Sequence, residues 1–305
     1  MKAALLISPE KITLGDIPEP PLKAGNVLIQ PAYAGICGTD VSFYLGHRPV
    51  PYPFVLGHEV TGSVVGIDAA MKKLHVGQRV IVEPNYPCGA CQLCLKGRGA
   101  VCAQKTSMGV NLPGCFAECV TAPAEYVWPL PDAVSDRDAA TIEPLTVSLH
   151  ALMQSGAKIG DTVAVLGCGV VGLLLIHVAV AEGVRVIAHD RFPDKLIAVF
   201  ECAGVSATVE LALKAAPRGA SVILLGLSAA PASFVPMRLV REGVNILTSM
   251  IYDHPADFAY AIDMVSRGVL HPACVVTDTY SFESISQALE HACTGKAGKI
   301  HIKMT

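Results

Sequence analysis

The sequence predicts an α/β chain in which a doubly wound parallel sheet is joined to a second, mostly β domain. Three observations carry this reading. About 145 N-terminal residues are rich in Pro and Gly and break into short β-prone runs. From Asp161 onward, apolar strand candidates alternate mainly with helical stretches, the rhythm of a parallel sheet. A glycine-rich turn directly follows the first of those strands.

Length permits this division, since 305 residues suffice for two domains. Residues 1–146 and 274–305 are assigned to the β domain, and 147–273 to the parallel sheet. Hydrophobic residues make up 52% of the chain, charged residues 16%, and the net charge is −3, so no basic face is offered to nucleic acid or anionic lipid. A small, nearly neutral molecule is the expected partner. The opening MKAALLISPE lacks a signal-peptide pattern, and a reducing cytoplasmic setting is expected. Eleven cysteines in such a setting read as metal ligands or small buried hydrophobes.

In the first domain the strand candidates include Val27 to Pro31, Val60 to Ile67, Arg79 to Val82, Ala117 to Thr121 and Tyr126 to Leu130. The second offers TVAVLG, VRVIAHD, AVFECAG, SVILLGL and VNILTS in turn. Residues 162–181 are apolar for about the length of a membrane span. Three early glycines, with a β-branched run before them and a helical run after, identify them instead as a buried strand, turn and helix. The tail supplies a helix, SISQALEHACTG, and a last strand, KIHIKM, returned to the first domain.

Cys88, Cys91, Cys94 and Cys102 form C-x2-C-x2-C-x7-C on a loop-like segment. Zinc takes four ligands at tetrahedral corners, and thiolates at this spacing can close around one ion with no open position, as in a structural site. The competing reading is two disulfides or four unrelated thiols.

Cys37 in AGICGTD, His58 and Glu59 in VLGHEVTG, and Glu143 in IEPL are scattered. Singly, each reads as a core thiol, a loop histidine or a solvated carboxylate. Together with the cysteine cluster and the glycine-rich turn, they match a known arrangement. The chain resembles the medium-chain zinc-dependent alcohol dehydrogenase family, in its sorbitol, butanediol and threonine dehydrogenase branch. The resemblance implies a GroES-like first domain and a Rossmann second domain. It places Cys37 and His58 on a catalytic zinc, with Glu59 or Glu143 completing the protein ligands and the other adjusting the site. An open position is needed for an alcohol oxygen. Thr39 stands where the family has a proton-relaying hydroxyl, although a turn hydrogen bond also explains it.

Gly167, Gly169 and Gly172 spell G-x-G-x-x-G, with Val170 and Val171 between the last two. The first glycine permits a tight turn, the second backbone approach to a pyrophosphate, the third close packing of helix on strand. Asp190 ends the next strand and would accept hydrogen bonds from the ribose hydroxyls of NAD while repelling a 2′-phosphate. Arg191 could instead accept that phosphate, so NAD is expected ahead of NADP. Lys195 is a further contact to the adenosine ribose or a solvated helix lysine.

Two departures stand out. Only RFPDKLI separates Asp190 from AVFECAG, whereas parallel strands need a crossover of about a dozen residues or more. Most of one βα unit is therefore expected to be lacking, as an omitted stretch and not an evolved shortcut. Ser42 also stands where sorbitol and threonine dehydrogenases commonly have His, and SMIYDHPADF lacks the arginine that sorbitol-type enzymes carry before the tyrosine matching Tyr252. Pocket walls are proposed from Phe43, Tyr44, His47, Tyr52 and Tyr252, each equally explained by core packing.

The expected function is hydride transfer between a secondary alcohol, diol or polyol and NAD(P), by a homodimer or homotetramer with one catalytic and one structural zinc. The alternative is a zinc-binding relative of the same fold that has lost turnover.

Overall fold

The computed structural model describes residues 1–68, 74–187 and 196–304. They form two compact units, one of Met1–Glu143, Val265–Arg267 and His271–Thr305, the other of Pro144–Met264 and Gly268–Leu270.

The first unit opens with β1 (Lys2–Ser8) and β2 (Lys11–Asp16), followed by the long β3 (Asn26–Ile36) and the short helix α1 (Gly38–Tyr44). Next come β4 (Phe54–Val55), β5 (Glu59–Ile67), β6 (Arg79–Val82), β7 (Asn85–Tyr86) and a single-turn helix, α2 (Gln92–Leu95). Then follow β8 (Thr106–Ser107), β9 (Val120–Pro123), β10 (Val127–Pro129) and α3 (Asp136–Ala139). β3 outruns its predicted segment because pairing continues past Pro31, where the register with β5 shifts to accommodate a residue that lacks an N–H. The segment from Ala117 is strand only from Val120, and Ala117 makes an isolated bridge to Ala3.

The second unit begins as α4 (Ile142–Ser155) leaves the first and runs through β11 (Thr162–Leu166), α5 (Val170–Ala181), β12 (Arg185–Ile187) and β13 (Leu196–Glu201). It continues with α6 (Ser206–Ala215), β14 (Ser221–Leu224), α7 (Pro236–Glu242), β15 (Asn245–Thr248) and α8 (Ala256–Ser266). The chain closes in the first unit with β16 (Val276–Ser281), α9 (Ile285–Cys293) and β17 (Lys299–Lys303).

In the first unit the main sheet has the order β10-β6-β5-β3-β17-β16, with β9 also on β3. β17 pairs antiparallel with β3 and places His301 opposite Gly35, so the tail completes the sheet. Ile29, Leu56 and Phe116 are fully buried in its core, each worth about 1.5–3 kcal/mol in removal from water. In the second unit all pairs are parallel, in the order β12-β11-β13-β14-β15. Burial of Val163, Ala164, Val199, Phe200, Val222 and Ile223 fits a sheet covered on both faces. Five strands are present among the described residues, β12 and β13 both lie against β11, and no further strand stands beyond β12 among them; the link to β13, on which the omitted-stretch expectation falls, lies outside the described residues. The apolar run 162–181 divides into β11, the glycine turn and α5, and no described helix is long and apolar enough to cross a membrane.

Candidate active site and metal centres

Cys37 caps α1, with extended backbone at φ −100° and ψ 158°. Asp40, at the third helical position, accepts the Cys37 N–H at 2.8 Å through Oδ2 and the Gly57 N–H at 3.0 Å through Oδ1. One buried carboxylate thus ties the thiol-bearing turn to the loop carrying His58, whose Nδ1 lies 3.7 Å from Asp40 Oδ1. Burial raises the Asp40 carboxyl, against the lowering effect of His58. For His58, burial pushes the imidazole down, but Asp40, Cys37 and Glu143 outweigh it and leave it well above its usual value.

Glu59 starts β5 opposite Gly35 of β3 and is fully buried. A Cβ at Gly35 would run into the Glu59 carboxylate, which explains the glycine. Lys299, at the start of β17, donates to both Glu59 oxygens at 2.6 and 2.7 Å and to the Ile36 carbonyl at 3.0 Å. Burial lowers the Lys299 ammonium and Glu59 more than restores it.

The ligand atoms of Cys37, His58 and Glu59 lie within 4.8 Å of one another. His58 Nδ1 is buried without a hydrogen-bond partner, and the set of thiol, imidazole and carboxylate suits zinc. Glu143 lies outside that group, in the first turn of α4, buried, and acts on His58 electrostatically. Thr39 is half-buried in the first turn of α1.

Cys88, Cys91, Cys94 and Cys102 form a second group within 4.8 Å. Sγ separations of 3.9 Å for Cys88–Cys94, 3.5 Å for Cys91–Cys94 and 3.8 Å for Cys91–Cys102 match the edge of about 3.8 Å that four Zn–S bonds of about 2.3 Å require. All four are free thiols, so the disulfide reading is overturned. Backbone N–H groups of Ala90 and Cys91 draw the Cys88 thiol down to about 6, while burial pushes Cys94 up to about 12. The group therefore already favours a thiolate at one corner, the form in which cysteine binds metal.

In the second unit Gly167 directly follows β11 at φ +97°, a left-handed conformation that favours glycine. Gly169 caps α5 with open space where a Cβ would point, and Gly172 is buried where a Cβ would strike the Gly167 carbonyl. Ser148 of α4 donates to the Val171 carbonyl at 2.9 Å, and Val170 begins the helix. Asp190, Arg191 and Lys195 lie outside the described residues.

Of the residues read as pocket walls or core packing, three are buried and two exposed. Phe43 and Tyr44 belong to the core of the first unit, with the Tyr44 hydroxyl on the Glu10 carbonyl, and Tyr252 is buried against Phe258. His47 and Tyr52 are exposed.

Comparison with known proteins follows the same lines. The model of the alcohol dehydrogenase GroES-like domain matches residues 23–132. A probable D-xylulose reductase A from Emericella nidulans is 30% identical over 333 aligned residues, covering 95% of this chain and 92% of that protein. The chain belongs to the medium-chain zinc-dependent alcohol dehydrogenase family. Members of this family are NAD(P)-dependent oxidoreductases. The alignment is longer than this family member itself, so the relative carries residues that the 305-residue chain lacks. Among solved structures, the rspB alcohol dehydrogenase of Escherichia coli CFT073, complexed with NADH, has a TM-score of 0.93 at 27% identity and covers 100% of this chain and 99% of its own. A zinc-binding dehydrogenase from Sinorhizobium meliloti 1021, bound to NADP, has a TM-score of 0.92 at 27% identity and covers 99% of each.

Sequence reasoning missed Asp40 and Lys299. The C-G-T-D spacing was a signal for Asp40, because an acid at the third helical position can close a capping box. Lys299 had a weaker one, a lysine opening an apolar last strand.

Proposed function

We propose that the chain interconverts a secondary alcohol, diol or polyol and its ketone with NAD(P), NAD being favoured over NADP. The carrying observation is the convergence of Cys37, His58 and Glu59 in a chain of this family, apart from a separate group of four cysteines. Cys37, His58 and Glu59 are assigned to the catalytic zinc and Cys88, Cys91, Cys94 and Cys102 to the structural one. Glu143 stands by as a second carboxylate that tunes the charge at His58.

A bound zinc supplies Lewis acidity, which makes an alcohol hydroxyl easier to deprotonate. Asp40 orients His58, Lys299 offsets the charge of Glu59, and Thr39 takes the hydroxyl proton and passes it on. Gly167, Gly169, Val170, Val171 and Gly172 receive the pyrophosphate at the start of α5. Asp190, Arg191 and Lys195 are assigned to the adenosine ribose on sequence grounds.

The free thiols suit a cytoplasmic setting. Homo-oligomerisation, as a dimer or tetramer, is supported by β15, an outermost strand among the described residues, with Ile246 exposed on it and Phe234, Val235, Met237 and Val240 exposed in the segment that leads to it.

The test is a panel of small secondary alcohols, diols and polyols with NAD and with NADP, followed by absorbance of the reduced cofactor. Turnover of at least one substrate supports the reading. A zinc-loaded protein that turns over none of them and binds neither nucleotide would favour the non-catalytic alternative.

A further inference from the structure

We propose that Glu201 is a positioning residue for the dinucleotide, clamping the loop after β13 against Gly167 so that the cofactor meets a fixed wall. This rests on the assignment of the cofactor to the glycine turn.

Glu201 is the last residue of β13, and no part of it is exposed. Its Oε1 accepts three hydrogen bonds: from the N–H of Ala203 at 3.0 Å, the N–H of Gly204 at 2.9 Å and the hydroxyl of Thr208 at 2.7 Å. Its backbone carbonyl accepts two more, from the N–H groups of Leu225 and Gly226, both at 2.9 Å. One residue therefore organises both its own exit loop, back to the first turn of α6, and the exit of β14. Oε2 is buried, has no hydrogen-bond partner, and would lie 2.6 Å from a Cβ at Gly226. That Cβ would also collide with the backbone of Gly204, so the two loops touch without slack.

The place matters as much as the bonds. In the order β12-β11-β13 the sheet changes direction between β11 and β13, and open α/β sheets bind ligands beyond the carboxyl ends of the strands at such a point. Ala203, held by Glu201, faces the first glycine of the turn: a Cβ at Gly167 would come within 2.6 Å of the Ala203 nitrogen. Cys202 N–H donates to the Leu166 carbonyl at 2.8 Å, which locks the same loop to the end of β11. A buried carboxylate with one unpartnered oxygen is a costly way to cap a loop. Its placement at the direction change of the sheet accounts for it: the held loop sets the shape of the turn that receives the pyrophosphate.

The experiment compares the zinc-loaded enzyme with its Glu201→Ala, Glu201→Gln and Thr208→Val variants. NADH fluorescence titration gives Kd, and steady-state kinetics separates KM for NAD from kcat and from KM for the alcohol. Glu201→Ala is expected to raise Kd and KM for the nucleotide about tenfold or more, with kcat at saturating nucleotide and KM for the alcohol held. Glu201→Gln, which keeps the oxygen acceptor, should recover most of the loss, and Thr208→Val should give a smaller rise of about threefold. A folded Glu201→Ala protein with unchanged Kd overturns the proposal. So does a loss that falls equally on kcat and on KM for the alcohol, since a merely structural role would act that way. Should Glu201→Ala not fold, Thr208→Val decides: a rise in Kd with the melting temperature held supports the clamp, and an unchanged Kd overturns it. If the unaltered enzyme binds no NADH, the cofactor assignment fails first, which the variants cannot mimic.

Discussion

Lys299 reaches both carboxylate oxygens of Glu59, at 2.6 and 2.7 Å, and both side chains are buried. The pair joins the first residue of β17 to the first residue of β5, so the closing strand of the chain supports a candidate metal ligand 240 residues away. Replacing Lys299 with Met should leave Glu59 as an uncompensated buried charge and cost about 3–5 kcal/mol. Urea unfolding checks this. The loss should be larger in metal-stripped protein than in zinc-loaded protein, because an ion at Glu59 would replace the missing cation.

Zinc content offers a second test. Elemental analysis should find two ions per chain, from one closed and one open ligand set. Cys37→Ala with His58→Ala should leave one. Cys91→Ser should instead reduce the yield of folded protein and lower its melting temperature, since closed zinc sites contribute directly to folding.

Thr39→Val keeps the size of the side chain and removes the hydroxyl from the first turn of α1. Turnover should fall by about 10²- to 10⁴-fold, the usual worth of a general acid-base group, while KM for NAD stays put. Unchanged turnover in a variant that holds both zinc ions would assign the proton path elsewhere.

Acid should destabilise the fold in part through His301. Burial, with Lys299 and Arg137, pushes this imidazole down to about 3, and its Nε2 pairs with Thr141 at 3.0 Å while Nδ1 has no partner. A histidine held neutral in the fold takes up its proton more readily in the unfolded chain. Its contribution is thus complete above about pH 6.5 and declines as pH falls from there toward 3, by about 1.4 kcal/mol per pH unit at the steepest. His301→Gln should flatten that part of the stability curve in urea titrations. An unaltered slope would place the acid sensitivity in other groups.

Cofactor choice should turn on Asp190. Asp190→Ala removes repulsion toward a 2′-phosphate and should narrow the preference for NAD, read as the ratio of kcat/KM with the two nucleotides. Faster turnover of NADP by the unaltered enzyme would show Arg191 to be the governing residue.

Much of this was legible because its signals are local. The second metal group is four cysteines within one loop, and the glycine turn reads directly as the link from strand to helix. The change from Pro- and Gly-broken β runs to alternating strand and helix announced two units. Cys37 and His58 needed the family resemblance, since their meeting depends on the pairing of β3 with β5 and on Asp40 bridging two loops. Lys299 was hidden because a lysine in a strand normally faces water, and only the register of β17 on β3 brings it to Glu59. For Phe43 and Tyr44 the sequence left pocket wall and core packing equally open, because proximity to Cys37 does not reveal which way a helix turns its faces; both lie in the core of the first unit.

The three-residue β12 has only β11 beside it among the described residues. An outermost strand this short has backbone N–H groups that water can reach without the rest of the sheet opening. Its amides should therefore trade hydrogen for deuterium sooner than those of β11, β13 and β14, each flanked on both sides. β12 is also the strand whose sequence runs on to Asp190, the residue assigned to the adenosine ribose. A nucleotide seated there would then act as a wall, and the slowing of exchange in this one strand would record its arrival.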